Sequence, residues 1–206
     1  MPSRHGGTFE LHKVIRLSPT LGRKAPAGAI VLFDGTNMDE WEGRRIGLIS
    51  LDKKIVDGVM EINRAGGSIS SKRKFTHLEL HVEFQLPYKP EGREQGRGNS
   101  GVFVHRHEVQ VLDCYGLKPR AKGGGGMYSG RDPLLNACAP PMQWQTYDIL
   151  VAPPKEGETA RMTVRHNGVV IHDGLDLGAD LQPNGISLQD HGNPVRYRNL
   201  WIQGLP

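Results

Sequence analysis

From His77 to Leu86 the chain alternates without a break: Leu78, Leu80, Val82, Phe84 and Leu86 fall on one side, His77, Glu79, His81, Glu83 and Gln85 on the other. A period of two residues is the pattern of a β-strand with one apolar and one polar face. The polar face either meets water or lines a ligand site, and the alternation is compatible with both. No long segment carries the 3.6-residue apolar period of an amphipathic helix, so a core of this chain has to be built from strands. Shorter runs agree. Ala29–Phe33 is stopped by Asp34-Gly35-Thr36-Asn37, and Val59–Asn63 follows Asp57-Gly58. Gly101–His105 and Glu108–Cys114 flank Arg106-His107 as a hairpin or one bent strand, and Thr146–Ala152 ends at Pro153-Pro154. Between Arg161–His166 and Val169–Asp173 stands Asn167-Gly168, the strongest two-residue hairpin signal in the chain. Gly185–His191 and Val195–Gln203 close it as two more strands. With 27 glycines and 14 prolines among 206 residues, turns are frequent. The expected fold is all-β, a two-sheet sandwich.

Residues 1–25 read as an N-terminal extension, punctuated by Pro19 and Gly22, and residues 26–206 as one sandwich domain. The formal charge is +4, with much of the basic excess early, at Arg4, His5, Lys13, Arg16, Arg23 and Lys24. Elsewhere the signs are mixed, and no basic stripe is interleaved with aromatics, so nucleic acid is not an expected partner. No apolar run approaches the roughly 20 residues of a membrane-spanning helix, and the first residues lack the apolar stretch of a secretory signal. Cys114 and Cys138 bracket a glycine-rich stretch. A disulfide closing that loop and a pair of buried free thiols are both open readings. The Gly123–Gly126 run lacks the lysine and the strand-to-helix setting of a phosphate loop.

One segment concentrates polar chemistry: Glu108-Val-Gln110-Val-Leu-Asp113. Alternation puts Glu108 and Gln110 on one face and Asp113 on the other, and a β-bulge would return Asp113 to their side. The spacing is similar to the E-x-D-x-x-E strand of retaining glucanases on a lectin-like jelly roll. Here Gln stands for the middle acid and Asp for the last. Retaining hydrolysis needs two carboxyl groups roughly 5–5.5 Å apart, and the shorter Asp disturbs that distance. Around the segment stand Gly98-Asn99-Ser100-Gly101, Asn136, Trp144, Gln189-Asp190-His191 and Arg196-x-Arg198. Amide, carboxylate and guanidinium groups with an aromatic face are what holds a sugar. Each of them alone is equally a turn former or a surface residue.

Five blocks in order, LFDGTNMDEWE, HLELHVEFQLP, GNSGVFVHRHEVQVLDCYG, PLLNACAPPMQWQTYDILVAP and LQDHGNPVRYRNLWI, resemble the 3-keto-disaccharide hydrolase family. The resemblance runs from about Ala29 to Ile202, and the polar insertion around Arg93–Arg97 departs from it in a loop. It implies a concanavalin A-like jelly roll, export to the periplasm or beyond, and cleavage of glycosides already oxidised at C3. A ketone at C3 acidifies the C2 hydrogen; a base removes it, the C1 group is expelled, and water adds back. Under this resemblance Glu108 is the base and Asp113 the acid or water-handling residue. Gln110, Asn99 and His191 orient the sugar, with Asn136, Trp144 and Gln189 as further contacts, and Arg196 or Arg198 faces the developing oxyanion. No cofactor is expected, although His105, His107 and Glu108 lie close enough in sequence to make a divalent metal a candidate. The rival readings are a carbohydrate-binding module without catalysis, an ordinary glycosidase of the same fold, and an interaction domain that presents loops. The oligomeric state is not legible.

Overall fold

The computed structural model describes residues 10, 12, 14–43, 55–62 and 67–206. Arg4, His5 and Lys13 of the basic cluster, and Asn63 at the end of the expected Val59–Asn63 strand, lie outside the described residues. Thirteen strands are present among the described residues: β1 (Ile30–Phe33), β2 (Trp41–Gly43), β3 (Ile55–Val56), β4 (Val59–Ile62), β5 (Ile69–Ser71), β6 (Leu78–Gln85), β7 (Asn99–Val104), β8 (His107–Leu112), β9 (Trp144–Ala152), β10 (Arg161–His166), β11 (Val169–Asp176), β12 (Ser187–Leu188) and β13 (Val195–Gly204). They form two antiparallel sheets. The larger runs β11-β10-β9-β6-β13-β4-β3, with β1 also paired to β13; the smaller runs β2-β5-β12-β7-β8. The fold is a two-sheet, lectin/glucanase-like sandwich, as the strand pattern predicts.

The alternating strand β6 lies at the centre of the larger sheet, between β9 and β13. Leu78, Leu80, Val82 and Phe84 enter the core, joined by Tyr147, Ile149 and Val151 of β9 and by Tyr197, Leu200 and Ile202 of β13. Val102, Val104, Val109, Val111 and Leu188 supply the facing layer from the smaller sheet. Two tyrosines tie the layers with hydrogen bonds: Tyr147 donates to the Gln110 carbonyl at 2.7 Å, and the Tyr197 and Ser100 hydroxyls lie 2.7 Å apart. Buried hydroxyls thus find partners across the core. The Asn-Gly hairpin forms as expected, with φ of 50° at Asn167 and 79° at Gly168 joining β10 to β11.

The polar face of β6 is closed at its middle, while Glu79 borders a second cleft of about 370 Å³ with Thr20, Arg23 and Asp148. His81 and Glu83 are fully buried, beneath the segment that the sequence marks as an extension. Ser18 lies 2.6 Å from the Thr146 hydroxyl, Thr20 donates to Asp148 at 2.6 Å, and the Gly22 amide donates to Glu83 at 2.6 Å. On β13 the register shifts between Arg198 and Trp201, and Asn199 adopts φ 48°. That bulge brings both Arg198 and Asn199 to Glu83, at 2.7 and 2.8 Å.

Candidate active site on the five-stranded sheet

β7 and β8 form a regular antiparallel hairpin from Asn99↔Leu112 to Val104↔His107. Val102, Val104, Val109 and Val111 point inward, so Asn99, Gly101 and Phe103 share the outward face with Glu108 and Gln110. The register continues across the sheet, Phe103 to Ser187 and Ser187 to Ser70. The row Ser70–Ser187–Phe103–Glu108 therefore lies on the outside of the smaller sheet. Over it opens a cleft of about 540 Å³, lined by Ser68, Ser70, Phe103, Arg106, Ser187, Gln189 and Asp190 among others. A small aromatic platform bordered by hydroxyl, amide and charged groups suits a sugar-sized ligand.

Glu108 is half-buried at the margin of this cleft, opposite Phe103. Its side chain lies over Gly101: a Cβ at that glycine would stand 2.5 Å from Glu108 Oε1. Only glycine leaves that space. Among the described residues the carboxylate makes no hydrogen bond or ion pair, and burial pushes its pKa up to about 7. A carboxyl that titrates near neutrality is suited to taking and returning a proton.

The neighbouring amides are closed off. Asn99 and Gln110 are buried, and Gln95 of the 88–97 loop reaches over them. Its Oε1 accepts from Asn99 Nδ2 at 2.9 Å and from Gln110 Nε2 at 3.0 Å. Gln110 Oε1 is left buried with no donor. The polar insertion that departs from the family pattern thus forms the wall at this end of the site. The other side of β8 is covered by the glycine-rich loop, whose Gly126 carbonyl and Gly125 amide pair with Gln110 at 2.9 and 2.8 Å.

The structure separates the remaining expected residues. No bulge interrupts β7–β8, so Asp113 does not return to the Glu108 face. It is buried and bonded by Arg97 at 2.7 and 3.1 Å. Trp144, Arg196 and Arg198 belong to the outer face of the larger sheet, where Gln85 pairs with both Trp144 and Arg196. A core layer about 10 Å thick stands between that face and Glu108. There Arg198 is bonded to Glu83 and lies 4.1 Å from the Trp144 ring centre, and Arg196 is bonded to Glu61 at 3.3 Å. Residue type groups these three with Glu108 as sugar-holding side chains, but it does not reveal the sheet to which each belongs. Asn136 holds the glycine-rich loop, donating to the Cys114 and Leu117 carbonyls at 2.7 and 2.8 Å and accepting from the Cys138 amide at 2.8 Å. His191 is exposed beyond the cleft, whereas Gln189 lines it and pairs its amide with the Gly101 carbonyl at 2.9 Å.

His105 turns toward the Thr76 carbonyl, 2.8 Å from its Nε2. Among the described residues no three His, Cys, Asp or Glu side chains gather as a metal-binding group. Cys114 and Cys138 are free thiols.

Phe103 and Arg106 are cleft residues that the sequence reading does not single out, as are Ser68, Ser70 and Ser187. Phe103 was legible in the alternation Asn99, Gly101, Phe103. The sequence offers a hairpin or one bent strand here, and the hairpin forms with its turn one residue earlier, at His105 and Arg106 with φ 48° and 67°, where such turns normally carry Asn or Gly. A left-handed conformation costs a residue with a Cβ about 1–2 kcal/mol.

Fold and site together define a lectin/glucanase-like sandwich with an outward polar cleft. The sequence matches the 3-keto-alpha-glucoside-1,2-lyase-like domain over residues 28–203, and the chain belongs to that family. A solved structure of a candidate glycosyl hydrolase from Parabacteroides distasonis is 34% identical, with a TM-score of 0.77, covering 97% of this chain and 95% of that one. A second candidate glycosyl hydrolase from the same organism is 21% identical, with a TM-score of 0.63 over 86% of this chain and 99% of that one. The Crh5 transglycosylase, solved in complex with NAG, shares the fold at 15% identity and a TM-score of 0.54 over 90% of both chains. No curated protein matches the sequence. The chain is glycoside-hydrolase-like.

Proposed function

We propose that this protein cleaves 3-keto-glycosides by elimination and hydration, with Glu108 as the base. The observation that carries this reading is a half-buried, unpartnered carboxylate with a pKa near 7 beside a polar cleft. Glu108 removes the C2 proton, which the C3 ketone has acidified, and the electron pair passes into the enolate. Its collapse forms the C1–C2 double bond and breaks the bond from C1 to the glycosidic oxygen. Protonated Glu108, acid enough at this pKa, returns the proton to the departing oxygen. Water adding at C1 completes a net hydrolysis. Asp113 is not given the acid role in this scheme, because its carboxylate is bound by Arg97.

An ordinary retaining glycosidase needs two carboxyl groups converging from opposite sides of one bond. β8 presents only Glu108 to the cleft face, and the second carboxylate of the cleft, Asp190, accepts from the Gly192 amide at 2.7 Å, which favours the single-base scheme. The experiment is a time course with 3-keto-trehalose and with trehalose, read by product chromatography with and without chelator. Turnover of the keto sugar alone supports the reading, and loss of that turnover with chelator would add a metal to it. Turnover of neither, with calorimetric binding of an oligosaccharide, makes the protein a carbohydrate-binding module.

A further inference from the structure

We propose that Arg106 is a catalytic residue that receives the negative charge developing on the substrate's C3 oxygen, an assignment resting on the keto-glycoside reading above. Elimination needs a cationic or hydrogen-bonding partner for the enolate oxygen as well as a base. The arginines first considered for that role are committed elsewhere: Arg196 to Glu61, Arg198 to Glu83. Arg97, beside the end of β8, is held by Asp113. Arg106 lines the cleft together with Phe103, Ser187 and Gln189, and it makes no ion pair or hydrogen bond with any described residue. Two positions further along the hairpin stands Glu108, likewise unpartnered. A carboxylate and a guanidinium left apart at the margin of one cleft are placed to act on two atoms of one ligand.

The backbone gives a second, independent reason. His105 and Arg106 are consecutive non-glycine residues at φ 48° and 67°. The same chain builds its β10–β11 turn from Asn167-Gly168, so it has the ordinary solution at hand and does not use it here. His105 is fastened to the Thr76 carbonyl, which holds the turn in register. Strain of this kind gathers at functional sites, where a side chain has to be presented at the cost of local stability.

In the step proposed, the C2 proton goes to Glu108 and the C2–H electron pair forms the C2–C3 double bond. Negative charge is left on the C3 oxygen, to which the Arg106 guanidinium donates. The charge then returns through C2 as the bond from C1 to the glycosidic oxygen breaks, and the proton passes to that oxygen. No other reactant is required until water adds.

The test compares wild type, Arg106→Gly and Arg106→Lys on 3-keto-trehalose, with melting curves for all three. Glycine accepts the positive φ without penalty, so Arg106→Gly is expected to melt no lower than wild type while kcat falls about 100- to 1000-fold. KM should move far less, and Arg106→Lys should recover part of kcat. Should glycine loosen the hairpin, Arg106→Asn, also at ease at positive φ, replaces it. A folded Arg106→Gly with kcat within about threefold of wild type overturns the assignment alone. A wild type inert toward 3-keto-trehalose overturns the keto-glycoside reading, and the assignment with it.

Discussion

His81 Nδ1 lies 2.7 Å from Asp148 Oδ1, on two strands paired directly at these positions. The imidazole stacks on Trp201 with ring centres 5.2 Å apart, and its other nitrogen is 3.6 Å from Glu83. Burial opposes protonation of His81, but its hydrogen bond to Asp148 and the nearby Glu83 carboxylate outweigh it and hold the pKa above the ordinary value. For Glu83, burial is again the largest influence, and the nearby His81 ring with hydrogen bonds from Asn199, Arg198 and Gly22 overcome it to bring the pKa down to about 2. The polar face of the larger sheet is thus a closed charge network that seats residues 18–22.

The sign of its pH dependence follows. A raised histidine pKa contributes stability that is present below the ordinary value of 6.5 and lost as pH rises through the folded-state value. His105, His107, His166 and His172 are lowered by burial and work in the opposite direction. A difference between wild type and variant therefore isolates the pair. Urea unfolding should show His81→Gln destabilised by about 3 kcal/mol at pH 5 and by clearly less at pH 9. An equal loss at both pH values would mean that His81 acts by packing on Trp201 and not by charge.

Glu108 predicts a second pH dependence. Burial raises its pKa to about 7, so the ionised base accumulates as pH rises through neutrality. kcat/KM for a 3-keto-glycoside should climb tenfold per pH unit below about 7 and level off above it. Glu108→Gln should abolish this limb and lower kcat by roughly 100- to 10,000-fold. Stability should move the opposite way. A carboxyl raised in the folded state favours folding while it is protonated, and that contribution fades between pH 4.5 and about 7. The glutamine variant should consequently gain on wild type above pH 7 in the same urea titrations.

Gly101 is the cheapest handle on the position of that carboxylate. An added Cβ would meet Glu108 Oε1 at 2.5 Å, Cγ at 3.0 Å and Cδ at 3.1 Å. These are atoms of a half-exposed, flexible side chain, which can swing aside with little cost to the fold. Gly101→Ala is expected to shift the melting temperature by only a few degrees while kcat drops about 100-fold. Full activity would mean that Glu108 works from a different rotamer than the one over Gly101.

What the sequence made legible follows from range. β6 and the Asn167-Gly168 hairpin are set by neighbours one to four residues apart, and the alternation His77–Leu86 and the turn chemistry report them directly. The family blocks carry the sandwich, because five of them in order span nearly the whole domain. The candidate site is different in kind. Glu108, Gln110 and Gln189 meet because β7 pairs with both β8 and β12, a partnership across some 80 residues that no local period encodes. Trp144 and Arg198 carry the same polar alternation as Glu108 yet lie on the other sheet. Asp113 needed a bulge to join them, and β8 has none. Arg106 is legible as a residue between two strands, but its place in the cleft depends on the pairing of β7 with β12.

The wall formed by Gln95 allows a last test, separating what the 88–97 loop does for stability from what it does for chemistry. Gln95 Oε1 is the shared acceptor for Asn99 Nδ2 and Gln110 Nε2, and the Gln95 backbone carbonyl accepts from Asn99 at 3.0 Å as well. Gln95→Ala removes the side-chain acceptor and the bond that Gln95 Nε2 donates to the Lys122 carbonyl. Asn99 keeps the backbone carbonyl, and Gln110 keeps its 3.1 Å bond to Asn99 Oδ1, so the buried amides are weakened and not orphaned. A loss of about 1 kcal/mol in urea unfolding is expected. No hydrogen bond joins the Gln95 side chain to Glu108, so kcat should stay within about threefold of wild type. KM should change, because the variant opens the amide pair to whatever occupies the cleft. A fall in kcat that matches Glu108→Gln would instead make the loop part of the machinery that places the base, and Asn99 and Gln110 would be its supports.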